Sequence, residues 1–179
     1  MFLGLDLSLQ SSGLVIIDKD YNIKHSETLS VPQKGVERLY HLKTMFKTSL
    51  DSFNIKFCCI EAPALKAEGR LFNIGELNGI IKLILYKKGI NFITPAPSQL
   101  KKYATGSGKG NKSIIILDVY KNFNEEIRND DIADAYVLAR IARDYYLTDL
   151  AKCDLKKYQI EVLKALHKTN DEKLNGYIL

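Results

Sequence analysis

The chain opens with the segment Phe2-Leu3-Gly4-Leu5-Asp6-Leu7, an apolar strand that an aspartate interrupts one residue before its end. A carboxylate at the end of a buried strand loses solvation, which penalises its charged form and raises its pKa. A divalent cation reverses that penalty, and hard oxygen ligands are the ones that Mg²⁺ and Mn²⁺ select. Asp6 is therefore a candidate metal ligand.

Three more acids occupy comparable positions. Glu61 ends the apolar run 57–61, and Asp131 and Asp134 share one face at the start of an alanine-rich helix. Read singly, each has a structural explanation. The aspartates, or Asp130 before them, would cap the helix, and Glu61 would be a strand-end acid facing water. Together the four acids predict a metal-dependent phosphodiesterase site formed by Asp6, Glu61, Asp131 and Asp134.

Such a site would hold two divalent ions, Mg²⁺ or Mn²⁺. Two ions about 3.5–4 Å apart can stabilise the attacking and leaving oxygens of an in-line displacement. We expect Asp6 to bridge them and the other carboxylates to flank them. The alanines of the helix are small enough for it to approach the sheet closely, as sharing a metal with Asp6 requires. A nearby lysine, Lys101 or Lys112, would neutralise charge on the phosphate oxygens.

The hydrophobic pattern predicts an α/β architecture. Short strands at 2–7, 13–18 and 22–30 follow one another closely, which favours an antiparallel meander. Two β/α units follow, with strands at 57–61 and 91–94 that we expect to lie parallel. The predicted fold is a five-stranded mixed sheet flanked by helices over 36–52, 69–88, 97–103, 112–121 and 130–146.

Basic residues concentrate in one stretch of the chain. The 41 residues between Glu76 and Asp118 carry seven lysines and no acid. From residue 101 to 112, lysines alternate with a tyrosine and three glycines, which suits a flexible loop that follows a nucleic-acid backbone. A solvated surface is the alternative, and we prefer it for Lys87 and Lys88 at a helix end. The segment predicts phosphate contact by Lys101, Lys102, Tyr103, Lys109 and Lys112.

Composition limits the remaining possibilities. At 179 residues, with 46% hydrophobic and 26% charged, the chain can bury one substantial core. It shows no apolar run of the roughly 20 residues that cross a bilayer and no signal-peptide pattern, so we expect a cytoplasmic protein without a membrane partner. Three cysteines without paired spacing indicate reduced packing thiols. We divide the chain into a domain over 1–147 and a basic helical extension over 148–179 that packs on the domain or on a partner.

The order and spacing of these motifs resemble one family. Gly4-Leu5-Asp6 with Ser12-Gly13, then Ile60-Glu61, then Asp131-Ile132-Ala133-Asp134-Ala135 resemble the four-carboxylate core of the RuvC family of Holliday junction resolvases. That family has the RNase H-like fold. The stretch from Leu100 to Lys112 is similar to its basic segment, in which Lys101 and Lys112 take the positions of two functional lysines. The match is collinear from residue 2 to about 145.

The resemblance implies a homodimer that nicks opposed strands of a four-way DNA junction with Mg²⁺ or Mn²⁺ and leaves 5′-phosphates. The compact form resembles phage-type members, which implies the cytoplasm of a bacterium or of a phage-infected host. Bacterial relatives have Pro-Gly where this chain has Leu7-Ser8, and a wedging aromatic where it has Ala64; Phe72 is the candidate substitute. We therefore expect broader cleavage of branched DNA, including three-way junctions, flaps and forks.

The helix over 69–88 is the expected dimer interface, because symmetric incisions need two sites related by a two-fold axis and its apolar stripe is wide. The alternative is that the stripe packs on the sheet, which we expect for half of it.

Other functions stay open. An actin-like or sugar-kinase-like domain also opens with Gly-x-Asp and then Ser/Gly residues, here 8–13, but such proteins are usually much longer, and we expect no nucleotide cofactor. A non-catalytic nucleic-acid binder would gain nothing from acids that repel phosphate. An RNA-processing nuclease of the same fold is the main rival, because phosphates look alike in DNA and RNA.

Overall fold

The computed structural model describes residues 1–63, 71–108, 112–149 and 154–176, without the side chains of 112–115, 117–118 and 171–176. The strands form a five-stranded sheet in the order β3-β2-β1-β4-β5. Its antiparallel part is β1 (Phe2–Asp6), β2 (Ser12–Ile17) and β3 (Ile23–Leu29). Next to β1 lie β4 (Phe57–Ile60) and then β5 (Asn91–Ile93), both parallel to it. The predicted mixed sheet is confirmed.

Helices cover both faces of this sheet. One face packs against α1 (Gly35–Asp51) and α2 (Leu71–Lys87). The other packs against α3 (Pro97–Thr105), α4 (Lys112–Phe123), α5 (Asp130–Leu147) and α6 (Lys157–Gly176). The five predicted helices are found, although residues 69–70 of the second lie outside the described residues. In the part of the chain that the structure describes, none of the helices is long and apolar enough to cross a membrane.

The central strands contribute side chains to two hydrophobic cores, because successive side chains of a strand point to opposite faces of the sheet. Every residue of β1 and β2 is buried. On β4, Cys58 packs with α1 and α2, whereas Cys59 packs on the α5 side. Both thiols are free, and burial raises the pKa of each. The prediction of reduced packing cysteines is confirmed for this pair; Cys153 lies outside the described residues.

Helix α5 lies directly on β1 and β2 because two glycines leave room for its backbone. A Cβ atom built on Gly4 would lie 2.0 Å from the carbonyl oxygen of Ala135 and 2.2 Å from the amide nitrogen of Ala139. A Cβ atom on Gly13 would lie 2.0 Å from the carbonyl oxygen of Asp131. The small residues of α5 were predicted to permit a close approach, and the glycines of the sheet are the other half of that contact.

Helix α6 is built into the core on the α5 side. Its residues Val162, Leu163 and Leu166 are buried in the same cluster as Leu100 of α3. The helix therefore packs on the domain formed by the sheet. The proposed boundary between residues 147 and 148 stays a prediction.

The variant Gly13→Ala tests the close packing of α5. Its methyl group would overlap the Asp131 carbonyl, so α5 must move away from the sheet. We expect the free energy of unfolding to fall by about 1–3 kcal/mol or more, the usual cost of overpacking. Urea unfolding with an unchanged m value would measure this loss.

The matched control is Thr28→Ala, the exposed cross-strand partner of Gly13 on β3. A surface change of this kind should cost less than about 1 kcal/mol. Equal losses in the two variants would contradict close backbone packing as the constraint.

Candidate active site

Two of the predicted acids lie on neighbouring strands at one edge of the sheet. Asp6 is the last residue of β1 and is only 9% exposed. The parallel register pairs Leu5 with Ile60, and the amide of Glu61 donates to the carbonyl of Leu5 at 3.1 Å. Pairing therefore continues one residue beyond β4. This places Asp6 and Glu61 next to each other at the edge, which we call the acid edge.

The first turn of α5 brings the backbone of Asp131 to the same edge. Asp6 pairs with Gly13 across β1 and β2, and Gly13 lies against the backbone of Asp131. The hydroxyl of Ser11 donates to Oδ2 of Asp131 at 2.5 Å. Asp134, one turn further along, is 7% exposed. The acid edge thus collects residues that are more than 120 positions apart in the chain.

Ser11 is a site residue that sequence reasoning did not single out. The available signal was the serine-rich turn that follows Asp6. Ser12 closes this turn, since its hydroxyl donates to the Ser8 carbonyl at 2.6 Å and accepts from the Ser8 amide at 2.9 Å. The closed turn holds Ser11 beside Asp131 and so orients one carboxylate oxygen of the site.

The N-cap of α5 is Asn129, whose side chain accepts from the amide of Ile132 at 3.0 Å. The alternative interpretation, in which Asp130 or the aspartates after it cap the helix, is therefore wrong. Asn129 satisfies an amide of the first turn, so the carboxylates of that turn are not its N-cap. The contact of Asp131 with Ser11 favours Asp131 over Asp130 as the site residue.

A cavity of about 450 Å³ opens beside Glu61. The β1–β2 turn forms one wall, and α1 and α2 contribute Arg38, Asn73 and Asn78. Asn78 is 5% exposed, and its Nδ2 donates to the carbonyl of Ile74 at 3.0 Å. That bond fixes the orientation of the amide, and among described atoms nothing donates to its Oδ1. The cavity gives a polar ligand direct access to the acid edge.

The chemistry of the donor set fits a hard divalent cation, since all four predicted ligands are carboxylates. Over the described ranges, however, no three His, Cys, Asp or Glu side chains are grouped closely enough to hold a metal ion as they stand. Side-chain rotation would therefore have to bring the carboxylates together around an ion. The four-carboxylate metal site stays a prediction.

The basic segment begins at the acid edge. The amide of Ala62 donates to the carbonyl of Pro95 at 2.9 Å, so α3 starts beside Glu61. Lys101 on α3 is half-buried, and Nζ of Lys102 lies 2.8 Å from Glu161 of α6. Two further lysines were predicted to contact phosphate: Lys112 is the first residue of α4, but its side chain is not described, and Lys109 lies outside the described residues. The predicted DNA contact Phe72 is 88% exposed at the start of α2.

Tyr103 does not face a ligand, and its predicted DNA contact is wrong. Its side chain is completely buried, and its hydroxyl donates to Asp144 of α5. Asp144 also accepts from the hydroxyl of Tyr21 at 2.6 Å and from Arg143 at 2.8 Å. Burial is the main cause of the raised pKa of Tyr103. Together with Leu100 and Ala104, Tyr103 forms the buried face of α3. The basic residues next to Tyr103 in the sequence do not indicate that its side chain is buried.

The variant Tyr103→Phe distinguishes a structural role of Tyr103 in the core from a role in DNA contact. Removing a donor from the buried Asp144 should lower the free energy of unfolding by about 1–3 kcal/mol. Affinity for branched DNA should not change, because the ring does not reach the surface. Thermal unfolding and filter binding measure the two quantities. Tyr120→Phe, at a tyrosine that is 54% exposed, is the control that should change neither stability nor DNA affinity. Weaker DNA binding of Tyr103→Phe at full stability would restore the prediction that Tyr103 contacts DNA.

Comparison with known proteins gives one consistent result. The family model described as crossover junction endodeoxyribonuclease RuvC matches residues 2–142. A crossover junction endodeoxyribonuclease RuvC of Thermotoga maritima is 30% identical over 145 residues, which cover 76% of this chain and 86% of the relative. One from Prochlorococcus marinus is 26% identical over 144 residues, covering 76% and 92%.

Solved structures show the same fold. Thermus thermophilus RuvC in complex with a Holliday junction substrate superposes with a TM-score of 0.65 at 20% identity, covering 76% of this chain and 88% of that one. Fowlpox virus resolvase with Holliday junction DNA has a TM-score of 0.52 at 17% identity, covering 78% and 96%. The predicted RNase H-like fold is confirmed.

Proposed function

The chain belongs to the RuvC family of crossover junction endodeoxyribonucleases, which are metal-dependent nucleases, and from this premise we propose that it nicks four-way junctions and other branched DNA with Mg²⁺ or Mn²⁺. The observation that carries the proposal is the acid edge. Asp6, Glu61 and Asp131 come from three distant segments, and their backbone positions lie at one end of an RNase H-like sheet. The family match spans all four acids and both lysines.

Each residue has a separate part in the proposed hydrolysis. Asp6, Glu61, Asp131 and Asp134 would hold two divalent cations. When bound, these supply Lewis-acid stabilisation of the attacking and leaving oxygens. The bond from Ser11 orients one carboxylate oxygen of Asp131. Lys101 and Lys112 would place positive charge beside the phosphate oxygens, whose negative charge increases in the transition state.

The cavity beside Glu61 supports a branched substrate. It is bounded by Asn73 of α2, and the neighbouring Phe72 is 88% exposed. An exposed aromatic ring can stack on an unpaired base, a contact that tolerates any sequence. We therefore propose that Phe72 contacts bases at the branch point. Such a contact would not depend on four arms, so three-way junctions, flaps and forks are included as substrates.

Cleavage of end-labelled DNA tests the function. Four-way, three-way, flap, fork and linear duplex substrates are incubated with Mg²⁺, Mn²⁺ or EDTA. We expect nicking of every branched substrate, none of the linear duplex, and none in EDTA. Cleavage confined to four-way junctions at one preferred sequence would contradict the broad selectivity. Metal-independent binding without cleavage would favour the non-catalytic binder, and cleavage of structured RNA alone would favour the RNA-processing enzyme.

Single isosteric variants test the acid edge in the same assay. Asp6→Asn, Glu61→Gln, Asp131→Asn and Asp134→Asn should each abolish nicking, because an amide cannot replace a carboxylate ligand. Junction binding should persist or tighten, since each change removes a negative charge that repels phosphate. Asp130→Asn is the matched control on the same helix and should cut normally. Full activity of Asp131→Asn with an inactive Asp130→Asn would reverse the assignment of these neighbours.

We also propose that the enzyme is a homodimer formed through the outward face of α2. The inner side of this helix packs on the sheet through Leu77, Ile81 and Leu85, as expected for half of its apolar stripe. The opposite side is apolar and solvent-exposed. At helical spacing it aligns Leu83 (52% exposed) and Tyr86 (80%) with two glycines, Gly75 and Gly79.

The two glycines suit a close helix–helix contact. Apart from the backbone of α2 itself, no atom of the described residues lies within 4 Å of a Cβ atom built on Gly75 or on Gly79. A second α2 could therefore approach the backbone there while the larger apolar residues pack around it. A two-fold axis through this contact would relate two acid edges, which symmetric incisions require.

Sedimentation at micromolar concentration tests the dimer. The wild-type protein should have twice the chain mass of 20.3 kDa. Leu83→Glu should sediment as a monomer, because two carboxylates would be buried against each other across the axis. Val36→Glu, on α1 at a residue that is 81% exposed, is the control that should stay dimeric. A wild-type monomer would exclude the symmetric cut.

A further inference from the structure

Helix α6 lies beyond residues 2–142, which the family model matches, yet its first turns contact α3, on which the basic segment begins. Residues 106–111 join α3 to α4. We call the last turn of α3 the loop stem, because it leads into this segment; the last turn of α4 lies against it. Nδ2 of Asn122 on α4 donates to the carbonyl of Ala104 on α3 at 3.0 Å.

The polar groups of the loop stem are satisfied from α6. The last carbonyls of a helix have no partner within it. Nε2 of Gln159 lies 3.5 Å from the carbonyl of Tyr103 and is oriented to donate to it; Gln159 is only 4% exposed. Nζ of Lys156, the residue before α6, donates to Oδ1 of Asn122 on α4 at 2.7 Å. The start of α6 therefore holds the end of α3.

A ring from α6 also closes against the end of α3. Gly106 ends this helix with a left-handed φ of 82°, a conformation that favours glycine. A Cβ atom built there would lie 3.3 Å from two carbons of the Tyr158 ring. The ring therefore packs on the turn at which the chain leaves α3. Glu161, one turn later, pairs with Lys102 at 2.8 Å.

Helix α6, which makes these contacts, is anchored in the hydrophobic core. Val162, Leu163 and Leu166, which directly follow the contact residues, are buried in the core with Leu100 and Ala104 of α3. Burial of such side chains stabilises each by about 1.5–3 kcal/mol relative to exposure. The position of the loop stem is therefore set by the packing of α6.

We propose that Tyr158 and Gln159 are positioning residues, through which α6 sets the position of α3 and so of Lys101, which this helix carries. The inference rests on the proposed nuclease function, in which Lys101 acts on the scissile phosphate. The residues after 142 thereby become part of the cleavage apparatus without touching substrate. Removing the ring or the amide should misplace Lys101 while leaving the acid edge intact.

Single-turnover cleavage of a four-way junction at saturating protein tests this role. Tyr158→Ala and Gln159→Ala should slow cleavage about 10- to 100-fold, the range expected for a misplaced catalytic group. Tyr158→Phe keeps the packing ring and should cut at the wild-type rate. Lys164→Ala changes an exposed residue of the same helix and should also cut normally.

A double-mutant cycle with Lys101→Ala distinguishes positioning from a general structural role. If α6 acts through Lys101, Tyr158→Ala should slow the Lys101→Ala enzyme much less than it slows the wild type. Additive losses would overturn the proposal. So would a lower melting temperature with an unchanged cleavage rate.

Hydrogen exchange separates failure of this inference from failure of the nuclease assignment. The amide of Gly106 donates to the carbonyl of Lys102 at 2.9 Å. In Gln159→Ala this amide should exchange faster than in the wild type, whereas amides of β1 should not change. A wild-type protein that cuts no branched DNA would refute the proposed function. Unchanged protection of Gly106 would refute the role of α6 whether or not the protein cuts.

Discussion

The contact between the backbone of α5 and the glycines of β1 and β2 is the constraint on which the rest of the site depends. Gly4 and Gly13 present no side chain, so the helix lies at backbone distance from the sheet. A helix in such contact has little freedom to rotate or slide, because any side chain added there would overlap main-chain atoms. This fixes the first turn of α5, and with it Asp131, beside the strand that ends at Asp6.

The far end of α5 is held by a different kind of interaction. Asp144 is completely buried and accepts from Tyr21, Tyr103 and Arg143, which come from the β2–β3 turn, from α3 and from α5 itself. A buried charge is tolerated only when it is paired and hydrogen-bonded in this way. Next to it, the guanidinium of Arg140 lies 3.9 Å from the ring centroids of both Tyr21 and Phe123, and this stacking adds cation–π attraction.

The acids and the lysines of the proposed site are therefore supported in different ways. The acids stand on the two central strands and on a helix fixed at both ends. Lys101 and Lys112 stand on α3 and α4, and the end of α3 packs against α6, which lies outside the region matched by the family model. The proposed metal ligands thus lie within the family core, while α6, beyond it, supports the helix that carries Lys101.

The sequence by itself determined the order and type of the elements, the mixed sheet and the acids at its edge. These features are readable because hydrophobic period and strand-end charges are local properties of the chain. Tertiary structure alone decided that Tyr103 faces the core and that Ser11 contacts Asp131. The cap of α5 by Asn129 is a local contact with Ile132 that was not predicted from the sequence. Which face of a short basic helix is buried depends on elements distant in the chain: Tyr103 donates to Asp144, 41 positions away, and Ser11 donates to Asp131, 120 positions away. No local pattern records such a contact, because it exists only once α5 is packed on the sheet.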